Sequence, residues 1–264
     1  MEYLAYYLLT GACTGVLSGL LGIGGGLVIV PVLVFVFTSA GLPAQYVMQM
    51  ALGTSLATII FTSVSSARAH HRFQSVNWRL VQRISPGIVA GTLLGAWFAG
   101  QMHTAPLKLV FVVFAFVVSA QMLLDIRPKP SRQLPGAWVV TEIGGVIGFL
   151  SSLVGIGGGS LSVPFMVFCN VPVRNAVGTS AAIGLPIALA GTVGYALAGW
   201  SVGSLPQWSV GFIYLPALLG VSLASVLTAP LGARLAHCLP VPRLKKLFAL
   251  LLFVLGVKMA WGLF

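Results

Sequence analysis

An all-α polytopic membrane protein made of two related halves is the fold class that this 264-residue sequence predicts. Three observations lead there. Hydrophobic residues make up 58% of the chain and charged ones only 6%, whereas soluble domains carry about 25% charged residues. The apolar residues fall in runs of membrane-spanning length separated by short polar connectors. Those runs are continuous, not alternating, which selects helices over a β-barrel. Finally, the phrase Gly22-Ile23-Gly24-Gly25-Gly26, followed by Pro31, returns as Gly155-Ile156-Gly157-Gly158-Gly159, followed by Pro164.

Each element follows from this frame. The first apolar run extends from Leu4 to Thr38 and would measure roughly 52 Å as one helix, against a hydrocarbon core of about 30 Å. Glycine is a poor helix former and proline lacks a backbone donor, so the phrase predicts a break and two short helices meeting at it. A span from about Gln45 to Ser66 follows, then a basic connector over Ala67 to Gln82 with Arg68, His70, His71, Arg72 and Arg79. Spans of about Ile84 to Gly100 and Pro106 to Leu124 complete the first half, residues 1–124. Gly87, Gly91 and Gly95 mark a close helix–helix packing face. Residues 125–136, with Arg127, Lys129, Arg132 and three prolines, form a linker. The second half, residues 137–264, repeats the order: Ala137 to Val154, the glycine phrase, a short segment to Cys169, and spans of about Ala176–Ala198, Ser209–Ala229 and Leu244–Gly262. Further matches between the halves are Gly53-Thr54-Ser55 with Gly178-Thr179-Ser180, Pro86 with Pro216, and Leu107-Lys108 with Leu244-Lys245.

Fourteen Lys and Arg stand against three Asp and Glu. Nearly all the cations lie in connectors, where they orient a membrane protein and meet anionic headgroups, so the balance does not signal a nucleic-acid partner. If each broken stretch crosses once, the chain has eight segments, parallel halves and almost no charge bias. If each contributes two segments, there are ten, the halves are inverted, and twelve cations share one face, with Lys108 opposite and Lys258 inside the last span. Positive charge favours the cytoplasm, so the ten-segment, inverted arrangement is expected, with both termini outside.

The chemistry is concentrated at the breaks. A helix that starts after Gly26 or Gly159 aims free N–H groups and its positive dipole end at the break, which favours an anion. Glycine there also permits tight helix packing. Two matched copies point to a binding site containing Gly24, Gly25, Gly26, Gly157, Gly158 and Gly159. The hydroxyls of Thr54, Ser55, Thr179 and Ser180 could donate to oxyanions or bond carbonyls of their own helices. Ser18, Ser151, Ser152 and Ser160 are weaker candidates of the same kind. Lys258 and Glu142 lie near span ends and are expected to reach the interface. His70, His71, His103 and His237 fall in connectors or at span ends. Cys13, Cys169 and Cys238 show no metal or redox spacing, and no cofactor motif is present. An intramembrane enzyme would need a nucleophile with a base, or paired aspartates, at membrane depth, and Asp125 is the single aspartate.

The duplicated Gly-Ile-Gly-Gly-Gly…Pro, the Gly-Thr-Ser after each copy, and Arg68-Ala-His70-His-Arg72…Val76-Asn-Trp78 resemble the TauE/SafE family of bacterial membrane transporters. Its members are described as sulfite exporters or anion permeases, with eight helices from a duplicated four-helix unit. The likeness covers nearly the whole chain and departs from the charge pattern only in that helix count. It implies a multi-pass protein of a bacterial inner membrane and a small anionic substrate such as sulfite, a sulfonate or another organic anion. Coupling to a proton or sodium, and oligomeric state, stay open. A passive anion channel is the alternative; inverted repeats in one chain favour alternating access.

Overall fold

In the computed structural model, residues 4–21, 25–124, 133–238 and 241–261 are described. They form ten helices: α1 (Leu4–Leu21), α2 (Gly26–Ser39), α3 (Val47–Arg72), α4 (Trp78–Gln101), α5 (Thr104–Leu123), α6 (Ala137–Val154), α7 (Gly159–Phe168), α8 (Val173–Ala198), α9 (Leu215–Cys238) and α10 (Val241–Trp261). Two-residue strands, β1 (Ser209–Val210) and β2 (Ile213–Tyr214), pair antiparallel just before α9. Among the described residues, α3, α5, α6, α8 and the Leu215–Gly232 part of α9 are long and apolar enough to cross a membrane. At 26 residues each, α3 and α8 run about 39 Å, enough to cross the core of a bilayer.

The glycine phrases do separate helices, so α1 and α2 are distinct, as are α6 and α7. Residues 22–24 fall outside the described residues, and with them the predicted site residue Gly24. The linker is described only from residue 133. Pro31 and Pro164 do not lie at the breaks; each sits inside its helix. Lacking an N–H, they leave the carbonyls of Leu27 and Ser160 without the usual donor four residues on.

Three expected boundaries move. The basic connector is much shorter than the sequence suggests: α3 continues through Arg72 and α4 begins at Trp78, where the Asn77 side chain accepts from Leu80 N at 3.2 Å. Arg68, His70 and Arg72 are therefore helical, because Ala and Arg sustain a helix where polarity alone marks a connector. The expected span from Ser209 starts with the hairpin, since Gly211 (φ +54°) and Trp208 (φ +69°) adopt left-handed backbone that no helix accepts. Pro86 and Pro216, matched between the halves in sequence, hold different places: Pro216 lies in the first turn of α9, but Pro86 is two turns into α4.

Core position grades with burial. The apolar window of α3 is 83% buried and that of α5 only 33%, so α3 runs through the centre and α5 faces outward. Exposed Leu93, Leu94, Leu109, Val113, Val117, Leu219, Leu223 and Leu227 give the outer helices an apolar coat suited to lipid. All six Trp are exposed: Trp78, Trp138, Trp200 and Trp261 lie at or beside helix ends, Trp97 near the end of α4, and Trp208 just before the hairpin. Trp at the ends of apolar helices is the placement that an interfacial aromatic belt requires.

Helix contacts come in matched pairs across the halves. Gly87, Gly91 and Gly95 of α4 lie against the backbone or side chains of Thr141, Gly145, Phe149 and Ser152 on α6, so the predicted packing face is used. On the other side, Gly11 and Gly15 of α1 meet Val221 and Ser225 of α9, and Gly232 of α9 meets Val16. A methyl group at any of these would strike a backbone carbonyl or a helix side chain. In the centre, Gly53 packs on Tyr195, Gly191 on Leu56 and Gly184 on Ser63. Residue numbers rise along α3 as they fall along α8, so these two helices run antiparallel.

Candidate functional site

The two breaks meet. The first residue of α2, Gly26, lies against the backbone of Gly155 and Ile156 so closely that a Cβ there would collide with the Gly155 carbonyl. Ser55 of α3 donates to that same carbonyl at 2.8 Å. The junction therefore joins α2, α3 and the second glycine phrase, deep in the protein: Gly26, Ser55 and Ile156 are all buried.

Both breaks share one backbone device. Gly25 (φ +73°, ψ −10°) and Gly158 (φ +76°, ψ −6°) are left-handed residues capping α2 and α7. An L-side chain there costs about 1–2 kcal/mol, which explains glycine at these two places. The first ladder bonds of α2 run from Val28 and Ile29 to Gly25 O, and those of α7 from Leu161 and Ser162 to Gly158 O. The N–H groups of Gly26, Leu27, Gly159 and Ser160 thus precede both ladders and carry the positive end of each helix dipole.

The second break lies beside the middle of α8. A Cβ on Gly158 would meet Ile187, and one on Gly184 would sit 3.4 Å from Gly157 O. Ser151 Oγ lies 3.5 Å from that Gly158 position. Ser151 is fully buried, and its hydroxyl finds no partner among the described residues; the buried Ser160 hydroxyl finds none either. A buried hydroxyl without a partner costs about 1–3 kcal/mol. Ser162 Oγ donates to Ser180 Oγ at 3.0 Å just inside α7. Ser18 holds a buried place near the end of α1, and Ser152 donates to Phe149 O within α6.

Thr54 and Thr179 bond neither their own helix nor the breaks. Thr54 Oγ1 accepts from Tyr214 N at 3.0 Å, and Thr179 Oγ1 accepts from Asn77 N at 2.9 Å. Each ties its central helix to the residue immediately before α9 or α4, a long-range bond that local sequence could not reveal. Ser55 has its proton committed to Gly155.

Sequence reasoning also missed His70 and Tyr195. His70 is buried at the end of α3, not loose in a connector, and Nε2 lies 3.0 Å from Gly19 O. A carbonyl can only accept, so Nε2 carries the proton. Tyr195 at the end of α8, also buried, donates to Ser152 O at 2.9 Å. Each long helix therefore anchors the last turn of the helix that precedes a break. Glu142 is exposed, and Lys258 Nζ lies 3.9 Å above the centre of the Phe35 ring, a cation–π contact. No cluster of three metal-ligating side chains occurs among the described residues.

These features define a multi-pass helical membrane protein with two broken helices converging in its interior. The sequence profile of the family described as "Sulfite exporter TauE/SafE" matches residues 7–259, and the chain belongs to that family of membrane transporters. A "Probable membrane transporter protein" of Haemophilus influenzae is 37% identical over 253 residues, covering 96% of each chain. "Probable membrane transporter protein YunE" of Bacillus subtilis is 31% identical over 209 residues, covering 72% of this chain and 77% of its own. "Probable membrane transporter protein MJ0441" of Methanocaldococcus jannaschii is 26% identical over 262 residues, covering 96% and 93%. No solved structure matches the chain.

Proposed function

We propose that the protein is a secondary transporter of small anions, of the sulfite, sulfonate or related organic-anion class, working by alternating access in a bacterial inner membrane. The observation that carries this is the α7 break, where free helix N–H groups stand beside the buried, unpartnered hydroxyls of Ser151 and Ser160. Donors without acceptors in a buried site suit an oxyanion, and a helix dipole end adds about 0.3–2 kcal/mol to its binding. Among the described residues the one acidic side chain, Glu142, is exposed at the start of α6, so a cation finds no carboxylate at this break. The antiparallel course of α3 and α8, which hold the same place in each half, supports inverted repeats, and the abutting breaks support a shared site between them. Inversion in one chain favours alternating access over a passive anion channel.

The test is binding of sulfite, thiosulfate, sulfonates and carboxylates to the purified protein, with sodium, ammonium and divalent metals as the opposing set. Ser151→Ala should lower anion affinity yet leave the ligand-free protein as stable or more so, because it removes a buried hydroxyl that lacks a partner. Binding or movement of cations without anion competition would place the site elsewhere.

A further inference from the structure

Between α3 and α9 lies a groove of about 510 Å³, walled by Ile60, Phe61 and Val64 on one side and Val226 and Pro230 on the other. That volume is within the ~300–1,000 Å³ of ordinary ligand sites. Pro230 cannot donate to the carbonyl of Val226, and Ser65 Oγ supplies that bond instead at 3.1 Å. The groove is thus pinned by a hydrogen bond from α3 to α9 at the point where the proline interrupts the α9 ladder.

Arg68 and Arg72 line it towards the end of α3. One helical turn separates them, so both guanidinium groups project from one face. Both are exposed, and neither α3 nor α9 contains a carboxylate to neutralise them. Two like charges at this spacing repel, and a phosphate between them would satisfy both through paired N–H donors. An apolar trough ending in paired arginines matches an amphiphile with an anionic head.

The geometry points to an anionic phospholipid as the occupant, with its phosphate on Arg68 and Arg72 and an acyl chain along Phe61, Val64 and Val226. The bilayer supplies this ligand, and basic pockets between membrane helices bind such headgroups. The site is separate from the glycine breaks and stands whether or not they carry anions.

Native mass spectrometry and thermal unfolding of the detergent-purified full chain test it, with phosphatidylglycerol and phosphatidylcholine of identical acyl chains and inorganic phosphate as the headgroup-only probe. Phosphatidylglycerol should be retained at least tenfold better than phosphatidylcholine and should raise the unfolding midpoint. The double variant Arg68→Gln/Arg72→Gln should abolish that preference. Val226→Trp, which fills the trough and keeps both arginines, should lower retention of phosphatidylglycerol. Arg79→Gln, which does not line the groove, should leave it intact. Each comparison reads the lipid-induced shift within one variant, so a lower starting midpoint does not obscure it; if Val226→Trp fails to fold, the arginine pair decides. Unchanged preference in the arginine variant, an equal shift from phosphate alone, or cross-links showing a second copy of the chain seated in the groove would each overturn the assignment.

Discussion

Gly26→Ala tests whether the two breaks are locked together. In a helix with free surroundings this substitution should stabilise, since alanine is favoured over glycine by about 1 kcal/mol, and Gly26 lacks the left-handed φ that would oppose it. Here the added methyl points at the Gly155 carbonyl. That oxygen belongs to a backbone that cannot rotate aside as a side-chain tip could, and overpacking of this kind costs about 1–3 kcal/mol. Displacing Gly155 also endangers its bond from Ser55, worth about 1 kcal/mol net. The opposing terms leave a net loss of about 1–3 kcal/mol, reversing the sign expected of an isolated helix. Thermal unfolding in detergent is the assay. The double variant with Ser55→Ala is the control, because two changes that share one carbonyl should be less than additive. A Gly26→Ala protein as stable as the parent, or more stable, would show that α2 does not seat against the second glycine phrase and would refute the convergence.

Three further outcomes can be measured. Thr54→Val and Thr179→Val should each cost about 0.5–1.5 kcal/mol by removing the acceptor of Tyr214 N or Asn77 N, with Thr→Ser retaining most of the stability; equal stability of the Val variants in thermal unfolding would show that neither hydrogen bond contributes. Gly25→Leu and Gly158→Leu should abolish anion transport while the protein still inserts, as both the left-handed backbone and the close neighbours exclude a large side chain. Normal transport rates in reconstituted vesicles would leave these glycines a packing role only. Reporter fusions after Ala137 and after Phe264 should report opposite sides, cytoplasmic then external, and agreement between them would refute five segments in the second half.

Much of the fold was legible because its signals are local. Apolar run length, a glycine cluster and the Gly87/Gly91/Gly95 spacing each declare themselves within a few turns, and each corresponds to a helix, a break or a packing face. The end of α3 did not, because Arg68, His70 and Arg72 look like a connector when polarity is the only guide. Their helix is held by contacts made far away, among them His70 with Gly19. The site shows the same division. The breaks could be found from composition, but the roles of Thr54 and Thr179 depend on partners 160 and 102 residues away. No period or propensity encodes such distances. Ser151 was visible only as one of several serines near glycine, until its missing partner set it apart.

The crossed threonine bonds bear on how the chain is made. Thr54, in the first half, fastens the start of α9, and Thr179, in the second, fastens the start of α4. The glycine-lined face of α4 likewise has its mate in α6, and that of α1 in α9. A first half without the second would leave these surfaces uncovered. Its α4 finds the threonine at its start in α8, and its α1 finds its glycine-face partner only in α9, near the end of the chain. Each half thus supplies surfaces that the other covers, and the connection between them joins two pieces whose packing is complete only together.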